Sequence, residues 1–108
     1  MLEIREYLEA DGASPFRAWF DELDATAAAR VTVAVARLEQ GNLSNVKSVG
    51  GGVLEHRIDF GPGYRVYLGR EGDTLVILLA GGTKKRQQRD IDAAKARWAD
   101  YKRRKREG

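Results

Sequence analysis

A dense group of basic residues, "TKKRQQR", directly follows the apolar run "LVILLAGG". Lys84, Lys85 and Arg86 are consecutive, and the next acidic residue is Asp90. Like charges placed side by side repel one another unless an anion neutralises them. A helix that begins here would add the partial positive charge of its N-terminal N–H groups. We therefore expect this junction, together with Arg89, to bind a polyanion.

A second basic surface is predicted on the strands within "EHRIDFGPGYRVY". Arg57, Arg65 and Tyr67 alternate onto one face, and a hairpin symmetric about the proline of "GPG" places Arg57 opposite Tyr67 and Asp59 opposite Arg65. Because the planar fork of arginine matches phosphate oxygens, this face could grip a phosphate. The alternative is that Asp59 and Arg65 form a surface ion pair while Arg57 is merely solvated.

The single histidine, His56, belongs to a residue type suited to proton transfer. It alternates with Leu54 and Ile58, which favours a partly buried structural role over that of a general base. The chain has no cysteine, so a disulfide, a thiolate nucleophile and a zinc site are not expected. We expect no metal and no other cofactor.

The helices and strands that must position these residues are predicted to form a single α+β domain over residues 1–108. Alternating apolar residues predict a strand near the N-terminus and three later strands. The turns between the later strands are short, so these strands are expected to be antiparallel. Ser14 and Asp24 are predicted to cap the two helices of a helical hairpin, because Ser14 precedes a proline and both side chains accept hydrogen bonds. The segment 41–52 is predicted to be a loop, and a C-terminal helix follows from Lys84, with a basic tail that frays from about residue 102.

Charge is distributed unevenly along the chain. Residues 1–83 contain 8 Lys and Arg against 12 Asp and Glu, whereas residues 84–108 contain 11 against 4. The basic quarter points to a nucleic acid, a ribosome-like surface or an acidic protein, and the alternative is a solvated helix without a partner. No apolar run approaches the roughly 18 residues of a membrane span, and the N-terminus has no signal-peptide core. We therefore expect a cytoplasmic protein with no membrane association.

As a whole, the chain resembles the RelE/ParE toxin superfamily of type II toxin–antitoxin systems, and especially its HigB-like "addiction module killer protein" branch. The resemblance lies in "SPFRAWFDELD", "ARVTVAVARLEQGNLSNVKSVGGGV", "EHRIDFGPGYRVYLGREGDTLVILLAGG" and "TKKRQQRDIDAAKARWADY", which follow the family's order. It implies a RelE-like β-α-α-β-β-β-α fold, in which an antiparallel-rich sheet is packed by a helical hairpin and a C-terminal helix. It also implies mRNA cleavage, often on the ribosome, and a cognate helix-turn-helix antitoxin (HigA-like).

The resemblance also implies a set of site residues. Its motifs match Arg57, Arg65 and Lys84, which would surround the scissile phosphate. The chain departs from the family at His56, where leucine is usual. Geometry alone, and not the resemblance, adds Lys85 and Tyr67 as RNA-binding candidates, together with Arg86 and Arg89 of the basic junction.

The implied reaction is attack of a ribose 2′-hydroxyl on the neighbouring phosphate, which requires alignment, charge stabilisation and two proton transfers. Arginine does not deprotonate, so the arginines would stabilise charge, and Lys84 or Lys85 is the better candidate for the base. The group that protonates the leaving oxygen stays open among Tyr67, Tyr101 and His56.

Two other functions are compatible with basic residues on a sheet surface. One is a ParE-like poison of DNA gyrase, which has the same fold and no nuclease activity. The other is a non-catalytic nucleic-acid-binding module.

Overall fold

A five-stranded mixed sheet separates two helical layers in the computed structural model, which describes residues 1–108. The order of strands across the sheet is first, fifth, fourth, third, second; the first and fifth are parallel and the other neighbours are antiparallel. The predicted α+β class, with a helical hairpin and a C-terminal helix, is confirmed. The elements are β1 (Glu3–Glu6), α1 (Pro15–Asp21), α2 (Ala25–Glu39), β2 (Val46–Gly50), β3 (Val53–Ile58), β4 (Tyr64–Glu71), β5 (Leu75–Gly82), a 3₁₀ turn (Lys84–Arg86) and α3 (Gln87–Glu107).

The helical hairpin α1–α2 covers one face of the sheet. Both predicted caps are confirmed: Ser14 Oγ accepts the Arg17 N–H at 3.0 Å, and Asp24 Oδ1 accepts the Ala27 N–H at 2.8 Å. These acceptors satisfy N–H groups that a helix start would otherwise leave unpaired. The buried side chains of this layer are Leu2, Phe16, Val31, Ala34, Leu38, Ile58, Val66, Leu68, Val76 and Leu78.

Helix α3 covers the opposite face of the sheet. Trp98 packs against β4 at Gly69, where a Cβ atom would lie only 2.3 Å from the indole Cε3. The strand therefore needs glycine there to let the helix approach. The other buried side chains of this layer are Tyr7, Val53, Tyr67, Ile77, Leu79, Ala80, Ile91 and Ala94.

Two predictions about secondary structure were wrong. The predicted loop 41–52 contains the edge strand β2, whose exposed Lys47 and Ser48 obscure the alternation expected of a strand. The tail predicted to fray is helical as far as Glu107. Arg104 fixes this last turn because its Nη1 donates to the backbone oxygen of Leu8 at 2.6 Å.

Candidate functional site

Strands β3 and β4 place Arg57 directly opposite Arg65. The predicted register, with Arg57 opposite Tyr67 and Asp59 opposite Arg65, was wrong by two residues, because the hairpin is centred on Gly61 rather than on the proline. Gly61 adopts a φ of +56°, in the left-handed region that glycine enters at little cost. The actual register brings the two arginines together at the end of the sheet.

Lys84 reaches the same place from β5. Its backbone N–H donates to the Pro62 carbonyl at 3.3 Å, which ties the start of the 3₁₀ turn to the β3–β4 hairpin. A Cβ atom on Gly63 would lie 3.1 Å from Arg65 Nη1 and 3.4 Å from Lys84 Cβ. The guanidinium of Arg65 and the side chain of Lys84 therefore flank one glycine. Arg57 lies at the same end of the sheet, so the three cations that match the family's motifs are brought together there.

The exposed basic group around this point consists of Arg57, Lys84, Lys85 and Arg86. All four residues are exposed, and none has a carboxylate within salt-bridge distance. The nearby Arg89, in the first turn of α3, is likewise exposed and unpaired. Unpaired cations on a surface attract anions, so the positive charge of this group favours the binding of an anion.

Arg65, in contrast, is almost fully buried, at 4% exposure. Its Nη1 donates to the Gly63 carbonyl at 2.6 Å, and its Nε lies 3.6 Å from Oε2 of Glu55. The ion pair with Asp59 that the sequence left open does not form. Arg65 therefore contributes positive charge from beneath the exposed basic group while it is held by its neighbours.

Glu55, which was not among the predicted site residues, is the partner of Arg65 and is fully buried. Gln87 Nε2 donates to Glu55 Oε2 at 2.9 Å, so the first residue of α3 joins the same cluster. Lys47 Nζ approaches the other carboxylate oxygen to 3.8 Å. The available signal was the alternation of β3, which puts Glu55 on the same face as Arg57.

Tyr67, a predicted RNA contact, is fully buried, so its side chain presents no surface to RNA in this structure. Burial and the negative charge of Glu55 raise its pKa, and its hydroxyl has no hydrogen-bond partner. Helix α3 lies over this part of the sheet, where Asp90 packs against Gly82. Burial also raises the pKa of Asp90, an effect that the charges of the neighbouring arginines Arg86, Arg89 and Arg97 oppose.

His56 lies on the opposite face of the sheet from Arg65, beneath α2, and is 4% exposed. Burial and the positive charge of Arg37 lower its pKa, which keeps the imidazole neutral. The expectation of a buried histidine on the apolar side of β3 is confirmed. The opposite face and this burial separate it from Lys84.

Tyr101 is also distant from the basic group. Its hydroxyl donates to Glu71 Oε1 at 2.9 Å, at the end of β4 opposite to Arg65. Burial and this hydrogen bond raise the pKa of Tyr101. Of the three candidate acids, Tyr101 is therefore distant from the exposed basic group, Tyr67 is fully buried, and His56 is buried in a cleft that it shares with Arg57.

An open cleft of about 300 Å³ adjoins Arg57 on the side of β2. Its wall combines the buried carboxylate of Glu55 with polar residues from the segment before and within β2. Such a cleft can accept a nucleotide-sized group beside the cations. The lining residues are Ser44, Asn45, Val46, Lys47, Glu55, Arg57 and Asp59.

The structure offers neither a metal site nor a membrane-spanning helix. No three His, Cys, Asp or Glu side chains come close enough together to hold a metal ion. None of the three α-helices combines the length and the apolar character needed to cross a membrane.

Comparison with known proteins identifies relatives over most of the chain. A protein of Haemophilus influenzae (strain ATCC 51907 / DSM 11121 / KW20 / Rd), described as an uncharacterized protein, is 46% identical over 81 residues, which is 74% of this chain and 82% of that protein. Residues 18–99 match the family model "Phage derived protein Gp49-like (DUF891)". This range begins within α1, includes the exposed basic group and ends at Ala99 in α3. The chain therefore belongs to the phage-derived Gp49-like family.

Proposed function

We propose that this protein is the toxin of a type II toxin–antitoxin pair, of the HigB-like branch, and that it cleaves mRNA. The observation that carries the proposal is the convergence of Arg57, Arg65 and Lys84 at one end of the sheet. Membership of the Gp49-like family supports it, since that family typically contains RelE-like toxins. No carboxylate lies within salt-bridge distance of the exposed basic group, as expected of a surface that meets a polyanion.

The cations have different positions and therefore different proposed roles. Arg57 and Lys84 are exposed and contact the scissile phosphate directly, where the arginine fork can bind two of its oxygens. Arg65 stabilises the additional negative charge of the pentacoordinate phosphorus from below, because its guanidinium is held in place before substrate arrives. Lys85, Arg86 and Arg89 bind the flanking RNA backbone.

Cleavage forms a bond between the ribose O2′ and phosphorus and breaks the bond between phosphorus and O5′. The products are a cyclic 2′,3′-phosphate and a free 5′-hydroxyl. The proton of the 2′-hydroxyl passes to Lys84 or Lys85 as a neutral amine, because arginine does not act as a base. Since Tyr67 and His56 are buried and Tyr101 lies at the other end of β4, the leaving O5′ takes its proton from the second lysine or from water.

The proposal includes a partner. A cognate helix-turn-helix antitoxin, HigA-like, neutralises the toxin by covering or distorting the exposed basic group. Acidic side chains on that antitoxin would complement the four unpaired cations. The mRNA is cleaved on the ribosome, whose RNA surface attracts the same positive charge.

The test is induction of the protein in growing cells. New mRNA 5′ ends are mapped, and the DNA-damage response is followed in parallel. We expect cleaved transcripts without DNA damage. DNA damage with intact transcripts would instead indicate the ParE-like gyrase poison, and normal growth with neither effect would contradict a toxin.

Two variants connect this activity to the site. Arg57→Ala and Lys84→Ala remove exposed, unpaired cations, so they should abolish transcript cleavage while the melting temperature stays near that of the wild type. Arg106→Ala is the matched control, because it removes an exposed and unpaired arginine from the far end of α3. Equal activity of all three variants would show that Arg57 and Lys84 do not take part in transcript cleavage.

A further inference from the structure

A second basic cleft lies between α2 and the end of β3, on the α2 side of Arg57. Its volume is about 370 Å³, within the range of about 300–1,000 Å³ that is usual for ligand pockets. The proposed reaction assigns no role to its residues other than Arg57. We call it the α2 cleft, and its polar lining consists of Arg30, Arg37, Asn45, His56, Arg57 and Asp59.

The α2 cleft carries an excess of positive charge. Three of its side chains are arginines, and none of them has a carboxylate within salt-bridge distance. Asp59 is the single acidic residue of the lining. The guanidinium carbon of Arg30 lies 4.5 Å from the centroid of the Phe60 ring, a cation–π contact that restrains its position. The guanidinium groups of Arg30 and Arg37 on α2 therefore line the cleft together with that of Arg57 on β3.

His56 supplies a second and independent observation. Its side chain lines the α2 cleft, is 4% exposed, and has an Nδ1 atom with no hydrogen-bond partner. A buried polar atom without a partner loses the hydrogen bonds that water gave it, which costs free energy. An oxygen of a ligand in the cleft would provide the missing partner.

We infer that the α2 cleft binds a phosphate of the same RNA strand, next to the phosphate that is cleaved. The inference rests on the proposed function, because it gives one substrate a second anchoring point. Arg57 belongs to the exposed basic group and also lines this cleft, so from Arg57 a series of cations continues to Arg30 and Arg37 on α2. A polyanion with regularly spaced charges satisfies such a series, whereas a lone carboxylate satisfies only one cation.

The test measures binding separately from cleavage. The probe is a short, fluorescein-labelled single-stranded RNA with 2′-O-methyl groups, which lacks the attacking hydroxyl. Its affinity for the full chain is measured by fluorescence anisotropy at several salt concentrations. Arg37→Ala should weaken binding about tenfold, and it should reduce the salt slope by about 0.7, the value for one phosphate contact on a single strand.

Two more variants make the result specific to the cleft. His56→Leu changes no formal charge and should also weaken binding about tenfold, because it removes one hydrogen bond to a charged group. Arg106→Ala changes the net charge as Arg37→Ala does but lies outside the cleft, and it should bind like the wild type. Thermal melting verifies that each variant is folded.

The outcomes separate this inference from the proposed function. If the wild type fails to bind the probe, or if Arg37→Ala and His56→Leu bind it as tightly as the wild type, the RNA subsite is refuted. Transcript cleavage in cells would leave the proposed function standing in that case. If affinity falls in both variants while no transcript is cleaved in cells, the subsite is supported and the nuclease proposal fails.

Discussion

Arg65 and Glu55 form an ion pair beneath the exposed basic group, with 3.6 Å between Nε and Oε2. Their side chains are 5% and 0% exposed. Glu55 is the single carboxylate within salt-bridge distance of Arg65, and Arg65 Nε has no hydrogen bond, so the Arg65 charge depends on Glu55 for compensation. This pair links the stability of the fold to the position of one cation of the proposed site.

Glu55→Ala should therefore destabilise the protein. Removal of one partner of a buried pair leaves the other charge without compensation, and we expect the free energy of unfolding to fall by about 3 kcal/mol. Urea denaturation of the purified protein measures the change. Glu9→Ala, at an exposed residue without an ion pair, is the control and should change the free energy of unfolding by less than about 0.5 kcal/mol. Equal stability of the two variants would show that the Arg65 charge does not need Glu55.

Gly63→Ala should reduce activity more than its loss of stability explains. Gly63 has a φ of +76°, and an added Cβ atom would lie 3.1 Å from Arg65 Nη1, close enough to shift the guanidinium slightly, while its contact with Lys84 Cβ would be an ordinary one. Gly72→Ala is the matched control, because Gly72 has a φ of +60° but nothing within 4 Å of the added atom. Each variant should lose about 1–2 kcal/mol of unfolding free energy from the left-handed backbone.

Growth inhibition after induction then separates the two glycine variants. The Gly63 variant should lose part of its toxicity, since its added atom shifts the guanidinium of Arg65, which donates to the Gly63 carbonyl. The Gly72 variant should keep it. If both variants are equally toxic at equal abundance, the spacing of Arg65 and Lys84 is not important for activity.

The features of the fold that local sequence determines were predicted correctly. Ser14 and Asp24 cap their helices as expected, because a cap depends on a few adjacent residues. Strand β2 was missed since an edge strand with one polar face is stabilised mainly by pairing with β3, and this pairing is not visible in its own residues. The hairpin register was also wrong, because a turn with several glycines allows more than one centre.

In the candidate site, too, the features that depend on local sequence were predicted and those that depend on contacts between distant residues were not. The exposure of Lys84 and its neighbours follows from a local run of basic residues and was expected. The burial of Tyr67 and Arg65 was not expected, because it depends on α3 packing over that face of the sheet, a contact between distant parts of the chain. Sequence alternation assigned Glu55 to the correct face, but only the packed structure makes it the partner of Arg65.

His56 should make stability depend on pH. Burial and the charge of Arg37 lower its pKa in the folded state, whereas the unfolded histidine takes up a proton below about pH 6.5. The unfolded state then binds more protons, so the free energy of unfolding should decrease as the pH falls below about 6.5, by at most about 1.4 kcal/mol per pH unit, until the folded pKa is reached. Urea denaturation at a series of pH values measures this slope.

His56→Leu provides the comparison for that slope. The chain has no other histidine, so the difference between the two proteins isolates this one imidazole. The variant should lose less stability between pH 7 and the folded pKa, with the largest difference at the acidic end. Parallel pH profiles would mean that His56 titrates alike in the folded and unfolded states.

Arg104→Ala should loosen the last turns of α3. Arg104 donates to the Leu8 carbonyl at 2.6 Å and lies 2.7 Å from Asp100 Oδ2, so it joins the end of α3 to the segment after β1. We expect faster amide hydrogen exchange over residues 102–107 and a loss of about 1 kcal/mol in unfolding free energy. Arg106→Ala, two residues further on at an exposed and unpaired position, should leave both quantities unchanged. If the two variants exchange at equal rates, helix propensity and local ion pairs order the tail, and the contact with Leu8 does not.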